Sequence, residues 1–167
     1  MGKSLKCSPS QELYGQVIPF PTQSTLFQSL PQKSLLVVNE NDSLSQEIKR
    51  SLEGQKHHVW IAKNAMELCS IIEHQKIDLL IVDVALPWLD GYELCSLIKS
   101  DSAFKDLPIT LTSGSPAPED VRRGIASGCD DYLVGPLALE TLHKSVDTLL
   151  ARTGSSWNHH RREEPSS

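Results

Sequence analysis

Short apolar runs alternate with amphipathic patterns along most of the chain. Continuous stretches of Leu, Ile and Val without polar alternation are typical of strands buried on both faces of a parallel sheet. Such runs predict strands over residues 35–38 and, with one early Asp, over residues 77–83; mixed or shorter apolar segments predict strands over residues 58–62, 107–113 and 132–134. After each run, apolar residues recur at helical spacing, which predicts five strand–helix units between residues 34 and 153.

Capping residues and glycines set the predicted helix ends. Ser43 and Gln46 resemble a capping box at the start of the first helix, and Gly54 closes that helix. Asn64 is suited to cap the second helix. The apolar face of the second helix is predicted to consist of Met66, Leu68, Cys69, Ile71 and Ile72.

The alternation of strands and helices predicts an α/β fold in which helices cover both faces of a parallel sheet. Five such units fit the flavodoxin-like (βα)5 doubly wound arrangement, in which the strand order is 2-1-3-4-5 and the switch point lies between the first and third strands. Asn39 and Glu40 follow the first strand, and Asp83 ends the third. Because open α/β sheets bind ligands at the carboxyl ends of such strands, we expect these three side chains to share one crevice.

The predicted crevice carries carboxylates on both strands. Two carboxylates held close together repel each other, so one must take up a proton or a cation must lie between them. Mg2+ suits this setting because it binds one or two carboxylates together with water and a phosphate. With Mg2+ bound, Asp83 is suited to attack a phosphoryl group as an aspartyl nucleophile. Two simpler alternatives stay open: Asp83 bonds only to the amides of its own loop, or the acids form a surface patch that binds nothing.

Composition and charge narrow the function classes. The chain is 39% hydrophobic and 22% charged, as expected of a single soluble domain. Its net charge of -5 argues against nucleic acid as a partner, and no apolar run approaches the ~20 residues that span a membrane. The acids in the segment NEND after the first strand disfavour a nucleotide or flavin phosphate site.

The four cysteines show no C-x-x-C pairing. Cysteines without such pairing are more often small core residues than metal ligands or disulfide partners. We therefore expect a reduced, cytoplasmic protein with unpaired thiols at Cys7, Cys69, Cys95 and Cys129.

The two ends of the chain differ from the strand–helix pattern. Residues 1–33 have neither helical nor strand periodicity and are predicted to form an extended arm that contacts the domain or a partner. Residues 154–167 (GSSWNHHRREEPSS) are predicted to be a disordered tail. Since only this polar tail follows the fifth helix, we expect no output domain and an output through protein contacts.

The acidic end of the first strand, the segment IVDVALPWLDGYELCSLIK and the later segment GCDDYLVGPL occur in a characteristic order and spacing. Over residues 34–153 the chain resembles the receiver domain of two-component response regulators. The resemblance implies a phosphorelay protein rather than an enzyme, in which Asp83 accepts a phosphoryl group from a histidine kinase or phosphotransfer protein. It also implies Mg2+ as cofactor, with Glu40, Asp83 and the backbone carbonyl of Ala85 as ligands, a switch hydroxyl at Ser113 and a switch aromatic at Tyr132.

Two positions depart from the pattern of that family. Asn39 stands where the family has the first of two acids, and Gly135 stands where it has a Lys before Pro136. The formal charge of the site is unchanged, so the demand for a cation is preserved. The contact between the Lys ammonium and a phosphoryl oxygen, worth ~1.5 to 3 kcal/mol, is lost. Two functions follow: an atypical single-domain response regulator phosphorylated on Asp83, or a phosphorylation-independent pseudo-receiver that acts as a protein-binding module.

The resemblance also implies a partner surface. Receiver domains usually bind downstream proteins on the face formed by the fourth helix, fifth strand and fifth helix. Candidate contact residues, each of which is otherwise ordinary core or surface, are Val121, Arg122, Val134 and Leu137.

Overall fold

The computed structural model describes residues 32–114 and 116–153. The predicted tail, and all of the predicted arm up to residue 31, lie outside the described residues. One parallel sheet in the order β2-β1-β3-β4-β5 forms the centre of the domain. Its strands are β1 (Ser34–Val38), β2 (His58–Ala62), β3 (Leu79–Asp83), β4 (Ile109–Ser113) and β5 (Asp131–Val134). The predicted flavodoxin-like fold and strand order are confirmed.

Helices cover both faces of the sheet. They are α1 (Asp42–Glu53), α2 (Ala65–His74), α3 (Gly91–Ser100), α4 (Pro118–Ser127) and α5 (Leu139–Thr153). Leu35 and Val37 of β1 pack with α1 and α5, whereas Leu36 and Val38 pack with α2 and α3. A strand between two helical layers has no polar face, and this explains its unbroken apolar sequence. Within residues 32–114 and 116–153, no helix has the length and hydropathy to span a membrane.

The start of α1 differs from the prediction. Asn41, not Ser43, is the N-cap residue, and its side chain accepts a hydrogen bond of 3.1 Å from the backbone N–H of Leu44. The predicted capping box of Ser43 and Gln46 is therefore wrong. Asn41 is placed by its own N–H, which donates to the side chain of Asn39 at 2.7 Å. The predicted cap at Asn64 is confirmed, since its side chain accepts from the N–H of Glu67 at 2.9 Å.

The apolar face of α2 is narrower than predicted. Met66 is 84% exposed and Cys69 is also exposed, so the prediction that they pack in the core is wrong. The helix covers β2 at the edge of the sheet, where an edge strand offers little surface to bury. Only a narrow stripe contacts the core cluster, consisting of Leu68, Ile71 and Ile72.

The described cysteines are unpaired, as expected, but they differ in exposure. Cys95 is fully buried, and its thiol donates a hydrogen bond to the carbonyl of Ser127 at 3.5 Å. Burial raises the pKa of Cys95, and burial raises the pKa of Cys129 to about 11. Since the thiolate is the nucleophile, both thiols are poorly reactive at neutral pH.

Alkylation should therefore distinguish one thiol from the other two. In a Cys7→Ser chain at pH 8, we expect iodoacetamide to modify Cys69 completely before Cys95 or Cys129 reacts appreciably. A time course of intact mass measures this, and Cys69→Ser in the same background should remove the fast adduct. A fast second or third adduct would contradict the burial of Cys95 and the partial burial of Cys129.

Candidate functional site

The carboxyl ends of β1, β3 and β4 lie side by side at one edge of the sheet. Val38 pairs with Val82, so Asn39 follows β1 beside Asp83, the last residue of β3. Asp83 in turn pairs with Thr112, which places Ser113 at the neighbouring end of β4. Of the three side chains expected to share a crevice, Asn39 and Asp83 are in direct contact, whereas Glu40 is exposed.

Two N–H donors hold the carboxylate of Asp83. Its Oδ1 accepts from the backbone N–H of Ala85 at 2.8 Å, and its Oδ2 accepts from Nδ2 of Asn39 at 3.0 Å. The bond to Ala85 is the loop contact considered as the simpler alternative. A carboxylate offers about four acceptor positions, so two donors leave capacity for a further ligand. Asp83 is therefore oriented by its neighbours without being saturated.

Asn39 is a donor at this site. The side chain is 4% exposed, and its Oδ1 accepts from the N–H of Asn41 at 2.7 Å while its Nδ2 donates to Asp83. These two bonds fix which end of the amide points towards Asp83. An acid at this position would repel the carboxylate of Asp83, whereas the amide attracts it. Asn39 thus reduces the repulsion in the crevice, but in this orientation it presents no oxygen to a cation.

The oxygen donors for a metal form a sparse set. Glu40 is exposed, and within the described part of the chain no group of three or more His, Cys, Asp or Glu side chains is placed to hold a metal ion. The carboxylates of Asp83 and Glu40 and the carbonyl of Ala85 are hard oxygen donors, which is the chemistry that Mg2+ prefers. By their chemistry these donors fit Mg2+, with water in the coordination positions that the protein does not fill.

Gly91 brings α3 against the backbone of Asp83. Asp90 caps α3 by accepting from the N–H of Tyr92 at 2.8 Å, and the N–H of Gly91 donates to the carbonyl of Val84 at 3.1 Å. A Cβ at position 91 would lie 2.6 Å from Cα of Val84, in contact with the carbonyl of Asp83 as well. Only glycine permits this approach, so the loop from Asp83 to Asp90 depends on it.

Gly135 is packed against the end of β4. The N–H of Gly135 donates to the carbonyl of Ser113. A Cβ at position 135 would lie 2.8 Å from Cα of Gly114 and 3.0 Å from the carbonyl oxygen of Ser113. The space in which a longer side chain would begin is therefore filled by backbone. Glycine in place of Lys at position 135 therefore removes a positive charge from the site and also permits this close packing of the loop.

Tyr132 is partly buried on β5, beside α4. Its hydroxyl is 2.8 Å from the hydroxyl of Tyr92 on α3. Sequence reasoning selected Tyr132 but missed Tyr92, because the two tyrosines are 40 positions apart. The roles predicted for Tyr132 and Ser113 stay predictions.

The candidate partner residues differ in accessibility. Val134 is 50% exposed and Arg122 is exposed, so both can contact another protein. Leu137 packs against the core cluster that contains α1 and α5, and Val121 is half-buried. The sequence did not point to Ile125 on α4, whose side chain the structure shows to be 70% exposed.

The sheet order, the aspartate at the switch point and the tyrosine on β5 define a signalling α/β domain of the receiver type. The family model described as the response regulator receiver domain matches residues 35–147, which is more than half of the chain. The chain therefore belongs to the receiver domain family of two-component response regulators. Receiver domains are signalling modules that interact with histidine kinases or phosphotransfer proteins and generally bind Mg2+ at their phosphorylation site.

Curated relatives support the same family. The chain is 33% identical over 119 residues to the response regulator MprA of Mycobacterium sp. (strain KMS), covering 71% of this chain and 51% of that protein. It is 34% identical over 119 residues to MprA of Mycobacterium avium (strain 104), with the same coverage. The chain thus spans about half the length of the curated relatives it matches.

Solved structures share the fold over nearly their whole length. The chemotaxis response regulator CheY4 of Vibrio cholerae is 26% identical, with a TM-score of 0.66 over 71% of this chain and 99% of that one. A putative response regulator from Chloroflexus aurantiacus is 30% identical, with a TM-score of 0.69 over 73% of this chain and 100% of that one.

Proposed function

We propose that this receiver domain accepts a phosphoryl group on Asp83 and signals through contacts with a protein partner. The observation that carries the proposal is the carboxylate of Asp83, which lies at the switch point and is oriented by the N–H groups of Asn39 and Ala85. The donor is a histidine kinase or a phosphotransfer protein. An oxygen of Asp83 forms the new P–O bond as the P–N bond of the phosphohistidine breaks, and the released imidazole nitrogen takes up a proton.

The residues around Asp83 have separate roles in this proposal. Asp83, Glu40 and the carbonyl of Ala85 would hold Mg2+, and its positive charge would offset the charge of the phosphoryl oxygens. The Ser113 hydroxyl, at the adjacent strand end, is the switch hydroxyl. Asn39 and Ala85 donate to Asp83 before transfer and so hold the nucleophile in place. No ammonium stands at position 135, so the phosphoryl group gains fewer contacts with β5 than in the family pattern.

A second candidate function is a pseudo-receiver that binds its partner without phosphorylation. Two observations favour it: the amide of Asn39 replaces an acid, and backbone fills the space beside Gly135. In this case the α4–β5–α5 face binds the partner constitutively. The prediction that the receiver domain works without an output domain stays a prediction under both candidates.

Intact mass after incubation with acetyl phosphate and Mg2+ tests the first candidate. We expect the chain to gain one phosphoryl group, because Asp83 has unused acceptor capacity and a fixed orientation. Asp83→Asn should abolish the gain, and excess EDTA should reduce it strongly.

The matched control is Asp106→Asn, which changes an exposed aspartate elsewhere and should leave the gain intact. No mass gain with acetyl phosphate or phosphoramidate would overturn phosphotransfer and leave the pseudo-receiver. A gain that persists in Asp83→Asn would assign the phosphoryl group to another residue.

A further inference from the structure

Two stacked tyrosines connect α3 to β5. The rings of Tyr92 and Tyr132 are nearly parallel, with an interplanar angle of 8° and centroids 6.3 Å apart, and their hydroxyls are 2.8 Å apart. Tyr92 is 7% exposed, and burial raises its pKa, so its hydroxyl stays protonated at any physiological pH. The pair therefore combines a hydrogen bond with aromatic packing.

Gly124 of α4 receives the ring of Tyr132. A Cβ at position 124 would lie 2.6 Å from Cδ2 and 3.0 Å from Cε2 of Tyr132. The ring thus lies directly on the helix backbone, in a space that any larger residue would fill. The position of Tyr132 and the position of α4 are consequently linked.

Arg123 of α4 packs over the ring of Tyr92. Its guanidinium carbon lies 4.3 Å from the centroid of the Tyr92 ring, within the range of a cation–π contact. Its Nη2 donates to Oδ2 of Asp90 at 2.7 Å, while Oδ1 of Asp90 accepts from the N–H of Tyr92 at 2.8 Å. One aspartate thereby caps α3 and ties α4 to the start of α3.

This cluster reaches the backbone of Asp83 directly. Gly91, next to Asp90, donates to the carbonyl of Val84 and approaches the carbonyl of Asp83 more closely than a Cβ would allow. A path of direct contacts therefore runs from the end of β3 through the start of α3 to α4 and β5. It does not pass through residue 135.

We propose that Asp90, Tyr92 and Arg123 form a latch that holds Tyr132 against α4 and couples Asp83 to the α4–β5 surface without a lysine on β5. Tyr92 is a positioning residue in this latch. The holding role stands on the contacts alone, whereas the coupling role rests on the proposed phosphorylation of Asp83. A shift of the Asp83 loop would alter the contacts of Asp90 with Arg123, and contacts that differ between two states are what shifts a conformational equilibrium.

Hydrogen exchange in the resting protein tests the holding role. Tyr92→Phe keeps the ring and removes the hydroxyl, and we expect the backbone amides of α4 to exchange about fivefold faster, as the loss of one hydrogen bond predicts. Arg123→Gln should act in the same direction. The matched control is Arg122→Gln, which changes the adjacent exposed arginine and should leave exchange unchanged. Exchange in Tyr92→Phe equal to that of the control would overturn the latch.

Amide NMR with acetyl phosphate and Mg2+ tests the coupling role. On phosphorylation of the unmodified chain we expect shifts at Ile125 and Val134. In Tyr92→Phe, phosphorylated to the same extent by mass, we expect those shifts to fall to about half or less. Equal shifts in the two proteins would refute the coupling. If the unmodified chain gains no phosphoryl group, the proposed function and the coupling role fail together, and the holding role is still decided by exchange.

Discussion

Gly91→Ala is expected to lower the free energy of unfolding by about 2 to 3 kcal/mol and to displace the loop that follows Asp83. Alanine in a helix is ordinarily favoured over glycine by about 0.5–1 kcal/mol. In most helices the same substitution would therefore raise the free energy of unfolding, whereas at position 91 we expect it to fall. The steric effect dominates because the new Cβ meets backbone atoms of Asp83 and Val84, which cannot rotate away as a side chain would. Urea unfolding followed by circular dichroism measures the change.

Gly114→Ala is the matched control for this substitution. A Cβ at position 114 has no heavy atom within 4 Å, so we expect a change within about 0.5 kcal/mol. If Gly91→Ala proves as stable as Gly114→Ala, the close approach of α3 to the end of β3 is not required for folding.

Gly135→Lys, which restores the residue type of the family pattern, is expected to destabilise the domain by about 1–3 kcal/mol. The side chain would begin 2.8 Å from Cα of Gly114, so the loop after β4 must move before the ammonium can reach the crevice. For the same reason, we expect the phosphoryl group on Asp83 to last no longer in Gly135→Lys than in the original chain. Urea unfolding and a time course of intact mass measure the two quantities.

Gly135→Ala separates the effect of the Cβ from that of the charge. Since the collision begins at the Cβ, alanine should cost nearly as much stability as lysine. A lysine variant that is as stable as the original chain and retains its phosphoryl group longer would show that the backbone yields and that charge alone was missing.

The central strands β1, β3 and β4 were predictable because they are buried on both faces. The run that ends at Asp83 has no polar alternation, and four of the five residues of β3 are buried in the structure. β3 and β4 each begin two residues later than predicted, at Leu79 and Ile109, because Ile77 and Leu107 are buried without belonging to the ladder. Hydrophobicity reports burial, and burial extends beyond the hydrogen-bonded strand.

The start of α1 was harder to predict because several residues there have similar capping ability. Asn41 and Ser43 are both favourable N-caps, and the sequence does not distinguish them. The tertiary contact decides between them: the N–H of Asn41 bonds to Asn39, whose amide is in turn held by Asp83. The end of β1 and the start of α1 are therefore set by the same bonds that orient the candidate phosphoacceptor.

By itself, the sequence determined the order of strands and helices, the family and the position of Asp83 at a strand end. These follow from local periodicity and from the few ways in which buried parallel strands can be connected. Only the tertiary structure decided that Asn39 donates to Asp83, that backbone fills the space beside Gly135 and that Tyr132 bonds to Tyr92. Those contacts join residues far apart in the chain, and their geometry depends on how the helices pack rather than on any local pattern.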